Sequence, residues 1–290
     1  AMVFASRHWM EVVPVKLNEL ILLSASSGES AYHHRVSGVA RCPREAAMHA
    51  NGIDRSNPSD PIHGNQFRFD IGHDVEARVI SAMEDAGLGV GFNQLRVVAR
   101  TPGGLEIPGH IDGIVLLPEE VDRGGKWYLF DVKSAGTRSY QRMFWRGQPP
   151  KPKQAHLEQV SVYANAFVDD DNHPDIRGVR LRDLEFDGMP CGGGLILYLC
   201  VDSTARGSGD SREYLPRLTE CHFDLDDVDV DTVLSGFDDV ERHRLDGTIP
   251  PKPEPTDDRL WPNFNRKTRK YKPVRCSPRW CERFSICQEI

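Results

Sequence analysis

Two closely spaced runs of apolar residues lie near the middle of the chain. Residues 111–117 (IDGIVLL) and 127–132 (WYLFDV) have the length and composition of neighbouring β-strands. A proline and a pair of glycines between them predict a tight connection. Each run carries a carboxylate where an apolar residue would pack better, with Asp112 early in the first run and Asp131 near the end of the second.

Helical periodicity dominates the regions on either side of these two runs. Residues 65–86 place apolar side chains along one side and end before a glycine, and residues 153–168 form an amphipathic pattern. An Ala-rich stretch predicts another helix that begins near Ser37 and ends near Gly52. Residues 226–243 predict a further helix, in an aspartate-rich part of the chain.

Turn signals and apolar runs predict the other strands. The sequence Thr-Pro-Gly-Gly predicts a hairpin between strands at residues 94–100 and 105–117. Residues 194–201 and 214–223 predict two more strands. The order is therefore helix, three strands, helix, strand, with additions at both ends, which is typical of an α/β (α+β) fold with a mixed sheet.

Composition and charge set limits on the class of protein. The chain has 290 residues, of which 39% are hydrophobic, and its net charge is −7, so bulk charge does not indicate a nucleic-acid binder. Residues 266–283 are nevertheless rich in arginine and lysine, as expected for either a phosphate-binding segment or a solvated tail. No apolar run is long enough for a membrane span.

The seven cysteines favour a metal site over a disulfide framework. The number is odd and the first residues lack the pattern of a secretory signal, so we expect a reducing, cytoplasmic location. Three cysteines lie close together with C-x4-C-x5-C spacing in a polar segment, which suits soft thiolate ligands. The spacing does not separate zinc from an iron–sulfur cluster, and it leaves four candidates for the fourth ligand. The three are Cys276, Cys281 and Cys287, and the four candidates are Cys42, Cys191, Cys200 and Cys221.

The two central strands carry the other candidate site. Residues two apart in a strand point to the same side, so Asp131 and Lys133 share one spot, with Asp112 on the adjoining strand. Two carboxylates and an ammonium group are functional groups that metal-assisted phosphodiester cleavage requires. The alternative is an Asp-Gly turn beside an edge strand, in which the D-x-K pattern arises by chance.

Six short motifs together resemble a known family. They are SGVARCPREA, FDIGHDVEARV, GHIDGIV, LFDVKS, HLEQVSVYA and CSPRWCERFSIC, and they run in this order from about Ser37 to Cys287. In order and spacing they resemble the PD-(D/E)XK nucleases, specifically the RecB-like exonucleases with an iron–sulfur cluster, including the CRISPR-adaptation and phage-encoded branches. The resemblance implies a restriction-endonuclease-like core whose N- and C-terminal segments are joined by the cluster.

The resemblance also implies roles for individual residues. Three carboxylates and one main-chain carbonyl would hold Mg²⁺ or Mn²⁺, with glutamate at the helix position where many relatives have histidine. A lysine would orient the attacking water, and a Q-x-x-x-Y pair would position DNA. The metal ligands are Glu76, Asp112, Asp131 and the carbonyl of Val132, and the other catalytic residues are Lys133, Gln159 and Tyr163.

For the cysteines, the resemblance implies a [4Fe–4S] cluster and selects the fourth ligand. Cys42 matches the isolated N-terminal cysteine of the family, and Cys276, Cys281 and Cys287 match its C-terminal three. Three segments follow from this assignment: an N-terminal extension (residues 1–36), a nuclease core (37–249) and a basic cluster segment (250–290).

The activity implied is a Mg²⁺- or Mn²⁺-dependent deoxyribonuclease, an exonuclease on single-stranded DNA ends, acting in recombination, repair or phage DNA processing. The chain contains no G-x-x-x-x-G-K-[ST] phosphate loop, so any unwinding would come from a helicase or recombination partner. The resemblance places the protein inside a bacterial cell, encoded by the bacterium or by a phage. Two alternatives remain. The first is a structure-specific or spacer-processing endonuclease of the same fold, and the second is a non-enzymatic nucleic-acid-binding module that is cross-linked by zinc or by an iron–sulfur cluster.

Overall fold

The computed structural model describes most of the chain between residues 33 and 251. The described residues are 33–39, 42–53, 62–121, 123–136, 140, 143–144, 152–206, 213–251, 262–265, 270–273 and 287. For residues 62–69, 202–206, 213–217, 262–265 and 270–273, the description covers the backbone alone. Two of the predicted cluster ligands, Cys276 and Cys281, and most of the basic C-terminal stretch lie outside the described residues.

Runs of strands separated by helices make up most of the described chain. In chain order, the elements are α1 (Pro43–Ala50), α2 (Ile62–Asp85), β1 (Gly89–Gly91), β2 (Arg96–Arg100), β3 (Glu106–His110), β4 (Gly113–Leu117), β5 (Lys126–Ala135), α3 (Gln154–Asn165), β6 (Phe167–Val168), β7 (Cys191–Arg206), β8 (Glu213–Phe223), α4 (Val230–Leu245), β9 (Pro262–Asn265) and β10 (Lys270–Pro273). Short 3₁₀ helices occur at Val36–Gly38, Pro174–Ile176, Leu181–Asp183 and Leu225–Asp227.

The central sheet has five strands in the order β1-β4-β5-β7-β8. The pairs β1/β4, β4/β5 and β7/β8 are antiparallel, and β5/β7 is parallel. A parallel pair needs a crossover connection, and α3 lies within the connection from β5 to β7. The sheet is therefore mixed, and the predicted α/β (α+β) fold class is confirmed at this level.

A second sheet has three strands in the order β3-β2-β6. Strands β2 and β3 lie between β1 and β4 in the chain, and β6 follows α3. The β2/β3 hairpin confirms the turn predicted from Thr-Pro-Gly-Gly, since Arg100 pairs with Glu106 across that turn. The prediction of a single strand over residues 105–117 is wrong. The structure has two strands there, β3 and β4, which belong to different sheets, and the chain passes from one sheet to the other at Ile111 and Asp112.

Three of the four helices predicted above match the structure to within a few residues, and one does not. The three are the long helix α2, the amphipathic α3 and the aspartate-rich α4. The helix expected from Ser37 begins at Pro43, where proline occupies the first turn and Cys42 is the N-cap. Ser37 belongs to the separate 3₁₀ turn Val36–Gly38.

The two faces of the central sheet pack against different helices. Tyr128 and Phe130 belong to the apolar cluster that contains Val79 of α2. Trp127 and Leu129, which alternate with them along β5, belong to the larger cluster that includes residues of α3 and α4. Asp131 follows Leu129 by two residues, so its side chain points to the α3 face of the sheet. Among the described residues, no helix combines the length and apolarity needed to cross a bilayer.

Candidate metal centre

The crossing between the two sheets places Asp112 beside β5. The preceding residue, Ile111, is fully buried and donates its N–H to the carbonyl of Leu95, which fixes the backbone at this point. The carboxylate of Asp112 then accepts a hydrogen bond from the main-chain N–H of Val132 at 2.7 Å. The sequence placed Asp112 early in a strand, whereas the structure places it just before β4. In that position the carboxylate reaches across to the neighbouring strand.

The glycine after Asp112 permits a close approach of the two strands. A Cβ atom at Gly113 would lie 2.6 Å from Asn93 Oδ1 and 2.8 Å from Phe130 Cζ, closer than any side chain tolerates. Packing therefore requires glycine at position 113.

Asp131 and Lys133 share one side of β5, as the alternation predicted. Lys133 Nζ donates to Asp131 Oδ1 at 2.8 Å, and Asp131 is only 2% exposed. The second oxygen, Oδ2, is buried and has no hydrogen-bond partner within the described part of the chain. Buried carboxylate oxygens are nearly always paired, so this oxygen is a candidate ligand for a cation.

Burial and like charges perturb these ionisable groups together. The pKa of Asp112 is raised to about 7, by burial first and then by the negative charges of Asp131 and Glu76. Burial likewise raises the pKa of Asp131, against the opposing effect of Lys133. Burial alone would lower the pKa of Lys133, but the nearby carboxylates raise it above its usual value. The lysine is therefore positively charged beside a crowded group of carboxylates.

Glu76 of α2 approaches the same group from outside the sheet. It contributes to the pKa shifts of both Asp112 and Lys133, so its charge lies within their electrostatic range. Its side chain is 15% exposed, and Oε1 accepts a hydrogen bond from Gln94 Nε2 at 2.6 Å. Glu76 is therefore largely shielded from bulk water and lies within electrostatic range of Asp112.

The donor set is suited to a hard cation but is not preassembled around one. Within the described residues, no three side chains of His, Cys, Asp or Glu stand close enough together to hold a metal ion. The crowded carboxylates and the unpaired Oδ2 of Asp131 are nevertheless what Mg²⁺ or Mn²⁺ would neutralise, because these ions prefer oxygen ligands. Val132, predicted to supply its carbonyl, contacts Asp112 through its N–H in the structure.

Gln159 and Tyr163 lie together on α3, above the same sheet face. Gln159 Nε2 donates to Tyr163 Oη over 3.4 Å, which is a long hydrogen bond. Burial raises the pKa of Tyr163, and the charges of Asp131 and Asp112 add to this effect. The phenol therefore stays protonated, and it lies within electrostatic range of both aspartates. The structure thus brings the predicted Q-x-x-x-Y pair to the carboxylates.

A close contact between β3 and α3 fixes the position of Tyr163. A Cβ atom at Gly109 would lie 2.5 Å from Tyr163 Cε1 and 3.1 Å from Val36 Cβ. We expect Gly109→Ala to lower the free energy of unfolding by about 1–3 kcal/mol, because the added methyl group overpacks this contact. Chemical denaturation measures the loss, and Gly91→Ala is the control because open space surrounds Gly91. Equal effects of the two substitutions would contradict the contact.

Because its pKa is raised, ionised Asp112 is predicted to lower the free energy of unfolding by an amount that depends on pH. Between the unfolded pKa of 3.8 and about 7, the folded protein retains a proton that the unfolded chain has lost. The free energy of unfolding therefore falls as the pH rises through that window. We expect Asp112→Asn to stabilise the metal-free protein at pH 8 by about 1–4 kcal/mol, and by much less near pH 4. Denaturation in a chelator measures this difference. A gain that is equal at the two pH values would indicate packing instead of charge.

A second candidate site forms around helix α1. Arg44 is only 4% exposed, and its Nε donates to Cys287 Sγ at 3.2 Å. Its Nη1 also donates to the carbonyl of Pro250. Cys42 is the buried N-cap of the same helix, so the structure brings two of the four predicted cluster ligands to one short helix. They come from opposite ends of the chain.

Arg44 contacts the Cys287 sulfur without a carboxylate beside it. Within the described residues, no carboxylate forms an ion pair with this buried guanidinium, and the Cys287 sulfur accepts a hydrogen bond from it. Of the alternative ligands, Cys200 and Cys221 are buried in the strands of the central sheet, and Cys191 begins β7. No disulfide joins the five described cysteines.

Two residues of these two sites were not identified from the sequence. Gln94 lies in a loop and carries no periodic signal, and Arg44 reads as an ordinary polar residue of a short helix. Their contacts join residues 18 and 243 positions apart, so only the folded chain reveals them.

Comparisons with known proteins found a similarity in structure but no match to a family model or a curated protein. A scan against protein-family models and a search of curated proteins both found no match. Among solved structures, the chain is similar to the "Crystal structure of SSO0001", with a TM-score of 0.41 and 13% sequence identity. The similarity covers 78% of this chain and 85% of that chain. At this level neither family nor function transfers between proteins, so the function must be argued from the sites themselves.

Proposed function

We propose that the protein is a metal-dependent nuclease that cleaves phosphodiester bonds in DNA. The observation that carries the proposal is the cluster of Asp112, Asp131 and Lys133, in which a buried carboxylate oxygen lacks a partner among the described residues. Structural ion pairs are usually fully hydrogen-bonded, whereas this cluster leaves one acceptor unused and crowds like charges around it. Without a cation, the like charges at such a site destabilise the folded protein, and a bound cation would neutralise them.

The order of elements around the cluster supports the same proposal. Helix α2 precedes the antiparallel strands β1, β4 and β5, and α3 then leads to the parallel strand β7. This is the helix, three strands, helix, strand order of the restriction-endonuclease-like core that the sequence resembles. The proposed ligands lie on α2, just before β4 and in β5, so these three parts of the core would contribute to one site.

In the proposed mechanism, each residue acts on the scissile phosphate or on the attacking water. When bound, the divalent cation would lower the pKa of a water molecule and offset charge on the phosphate. Glu76, Asp112 and Asp131 would hold the cation. Lys133 orients the water and stabilises the charge that develops as the new P–O bond forms and the bond to the leaving oxygen breaks. Gln159 and the protonated Tyr163 hold the DNA strand by hydrogen bonds.

We propose single-stranded DNA ends as the substrate, which makes the enzyme an exonuclease. A time course on 5′- and 3′-labelled single strands with Mg²⁺ or Mn²⁺ tests this, with a chelator as control. Release of mononucleotides or short products from one end supports the exonuclease. Cleavage of a circular single strand would instead indicate an endonuclease, the alternative within the same fold. Binding of DNA without chelator-sensitive cleavage would overturn the nuclease proposal and leave a binding module.

We further propose that Cys42 and Cys287, with Cys276 and Cys281, hold a [4Fe–4S] cluster that joins the two ends of the chain. The contact of Arg44 with Cys287 supports this proposal, because it places the C-terminal cysteine on the helix that Cys42 caps. A cluster with four thiolate ligands requires a reducing environment, so we place the protein in the cytoplasm. A helicase or recombination protein is the partner that such a nuclease would need on duplex DNA.

A further inference from the structure

The turn between β1 and β2 has an unusual backbone conformation. Phe92 and Gln94 both have positive φ angles, 56° and 59° respectively, although neither is glycine. Bulky residues rarely adopt this left-handed conformation, because the side chain crowds the backbone. Such a conformation persists only where the surroundings hold it in place, and it is most frequent at functional sites.

Contacts along the turn hold it in place. The ring of Phe92 packs against His173 and Phe186, with ring centroids 5.0 Å and 4.8 Å away. Asn93 Oδ1 would lie 2.6 Å from a Cβ atom at Gly113. The first residue of the turn is therefore anchored among aromatic residues, and the second lies against the residue that follows Asp112.

The strained residue Gln94 directs its amide to the proposed metal ligand Glu76. Gln94 Nε2 donates to Glu76 Oε1 at 2.6 Å, while Glu76 Oε2 is 3.8 Å from His73 Nδ1. The hydrogen bond from this neutral donor limits rotation of the Glu76 side chain and adds no charge beside the proposed ligands.

We propose that Gln94 is a positioning residue, which holds Glu76 toward the two aspartates so that the three carboxylates close around a divalent ion. The inference rests on the proposed nuclease function and extends it to a residue outside the six motifs. The turn keeps its unfavourable backbone because a relaxed turn would withdraw the Gln94 amide from Glu76. Side chains that hold metal ligands in this way commonly change metal affinity by about 10–100-fold when they are removed.

The test compares Gln94→Gly with the wild type in Mn²⁺ binding, measured by calorimetry without DNA. Glycine removes the amide and also relieves the positive φ angle, so the protein should be as stable as the wild type or more stable. We expect the Kd for Mn²⁺ to rise about tenfold while the melting temperature in chelator stays equal or increases. A purely structural role predicts the reverse, namely unchanged Mn²⁺ affinity and a lower melting temperature.

Two further variants sharpen the comparison. Gln94→Asn keeps an amide that tolerates the left-handed conformation but is one methylene shorter, so its affinity for Mn²⁺ should fall as in the glycine variant. In the Glu76→Gln background, Gln94→Gly should cause little additional loss, because the two residues act through one contact. An unchanged Kd in Gln94→Gly, or full additivity with Glu76→Gln, would overturn the inference.

The outcomes also separate this inference from the proposed function. A wild type that binds Mn²⁺ but leaves DNA intact would refute the nuclease, and a weaker Kd in Gln94→Gly would still support the positioning role. A wild type that cuts DNA, with a Gln94→Gly variant of unchanged Kd, would refute the positioning role alone. A wild type that binds no Mn²⁺ at any tested concentration would refute both.

Discussion

Asp131→Asn is expected to reduce DNA cleavage by about 1,000-fold or more while the protein stays folded. The substitution keeps the shape of the side chain but removes the charged oxygen that we assign to the metal. Metal ions supply several kcal/mol of transition-state stabilisation, and a thousandfold loss corresponds to about 4 kcal/mol. Because Asp131 is 2% exposed and its burial is unfavourable to the charged form, the melting temperature in chelator should not fall.

Initial rates on a labelled single strand at saturating Mn²⁺ measure this effect. Asp239→Asn is a matched control, since it removes a carboxylate of α4 that is largely exposed and pairs with Arg242. Lys133→Met should also lose most activity but bind Mn²⁺ at least as tightly as the wild type, because it removes a positive charge beside the ligands. Normal activity in either Asp131→Asn or Lys133→Met would show that the cluster is structural.

Cys287→Ser is expected to lose the iron and to free the C-terminal segment from the core. The proposed cluster closes a loop of more than 240 residues between Cys42 and Cys287, and binding that occurs only in the folded state adds directly to stability. Protein purified without oxygen should contain about four irons per chain and be brown. The variant should be colourless, and a protease should cut it near the C-terminus under conditions in which the wild type is intact.

Cys191→Ser provides the matched control for the cluster. Cys191 is half-buried at the start of β7, and the assignment gives it no role in metal binding, so this variant should keep its iron. Loss of iron in Cys191→Ser but not in Cys42→Ser would show that the fourth ligand was wrongly chosen. A colourless wild type that contains zinc would retain the link between the two ends of the chain but refute the iron–sulfur assignment.

The sequence predicted the parts of this fold that local patterns determine. Helices α2 and α3 follow from apolar periodicity, and the β2/β3 hairpin follows from its glycine-rich turn. The same-side placement of Asp131 and Lys133 follows from the alternation of a strand, and the structure pairs them. These features depend on neighbours in sequence, so a single chain contains enough information to predict them.

Most of the features that the sequence did not predict depend on distant parts of the chain. The break at Asp112 separates two apolar segments that read as one strand, because both continue the same pattern although they join different sheets. The start of α1 at Pro43 was also mispredicted, since Ser37 is a better N-cap residue in isolation than Cys42. The partners of Glu76 and Cys287, which are Gln94 and Arg44, are brought to them only by tertiary packing.

The most direct test of the account is a crystal structure of the protein grown with Mn²⁺, examined for anomalous scattering. The account predicts one or two Mn²⁺ peaks within about 2.0–2.6 Å of carboxylate oxygens of Asp112 and Asp131, with Glu76 turned toward the same ion. Asp131 Oδ2 should then be a ligand. A structure saturated with Mn²⁺ in which these carboxylates bind no ion, and Lys133 remains the sole partner of Asp131, would contradict the metal centre and with it the nuclease.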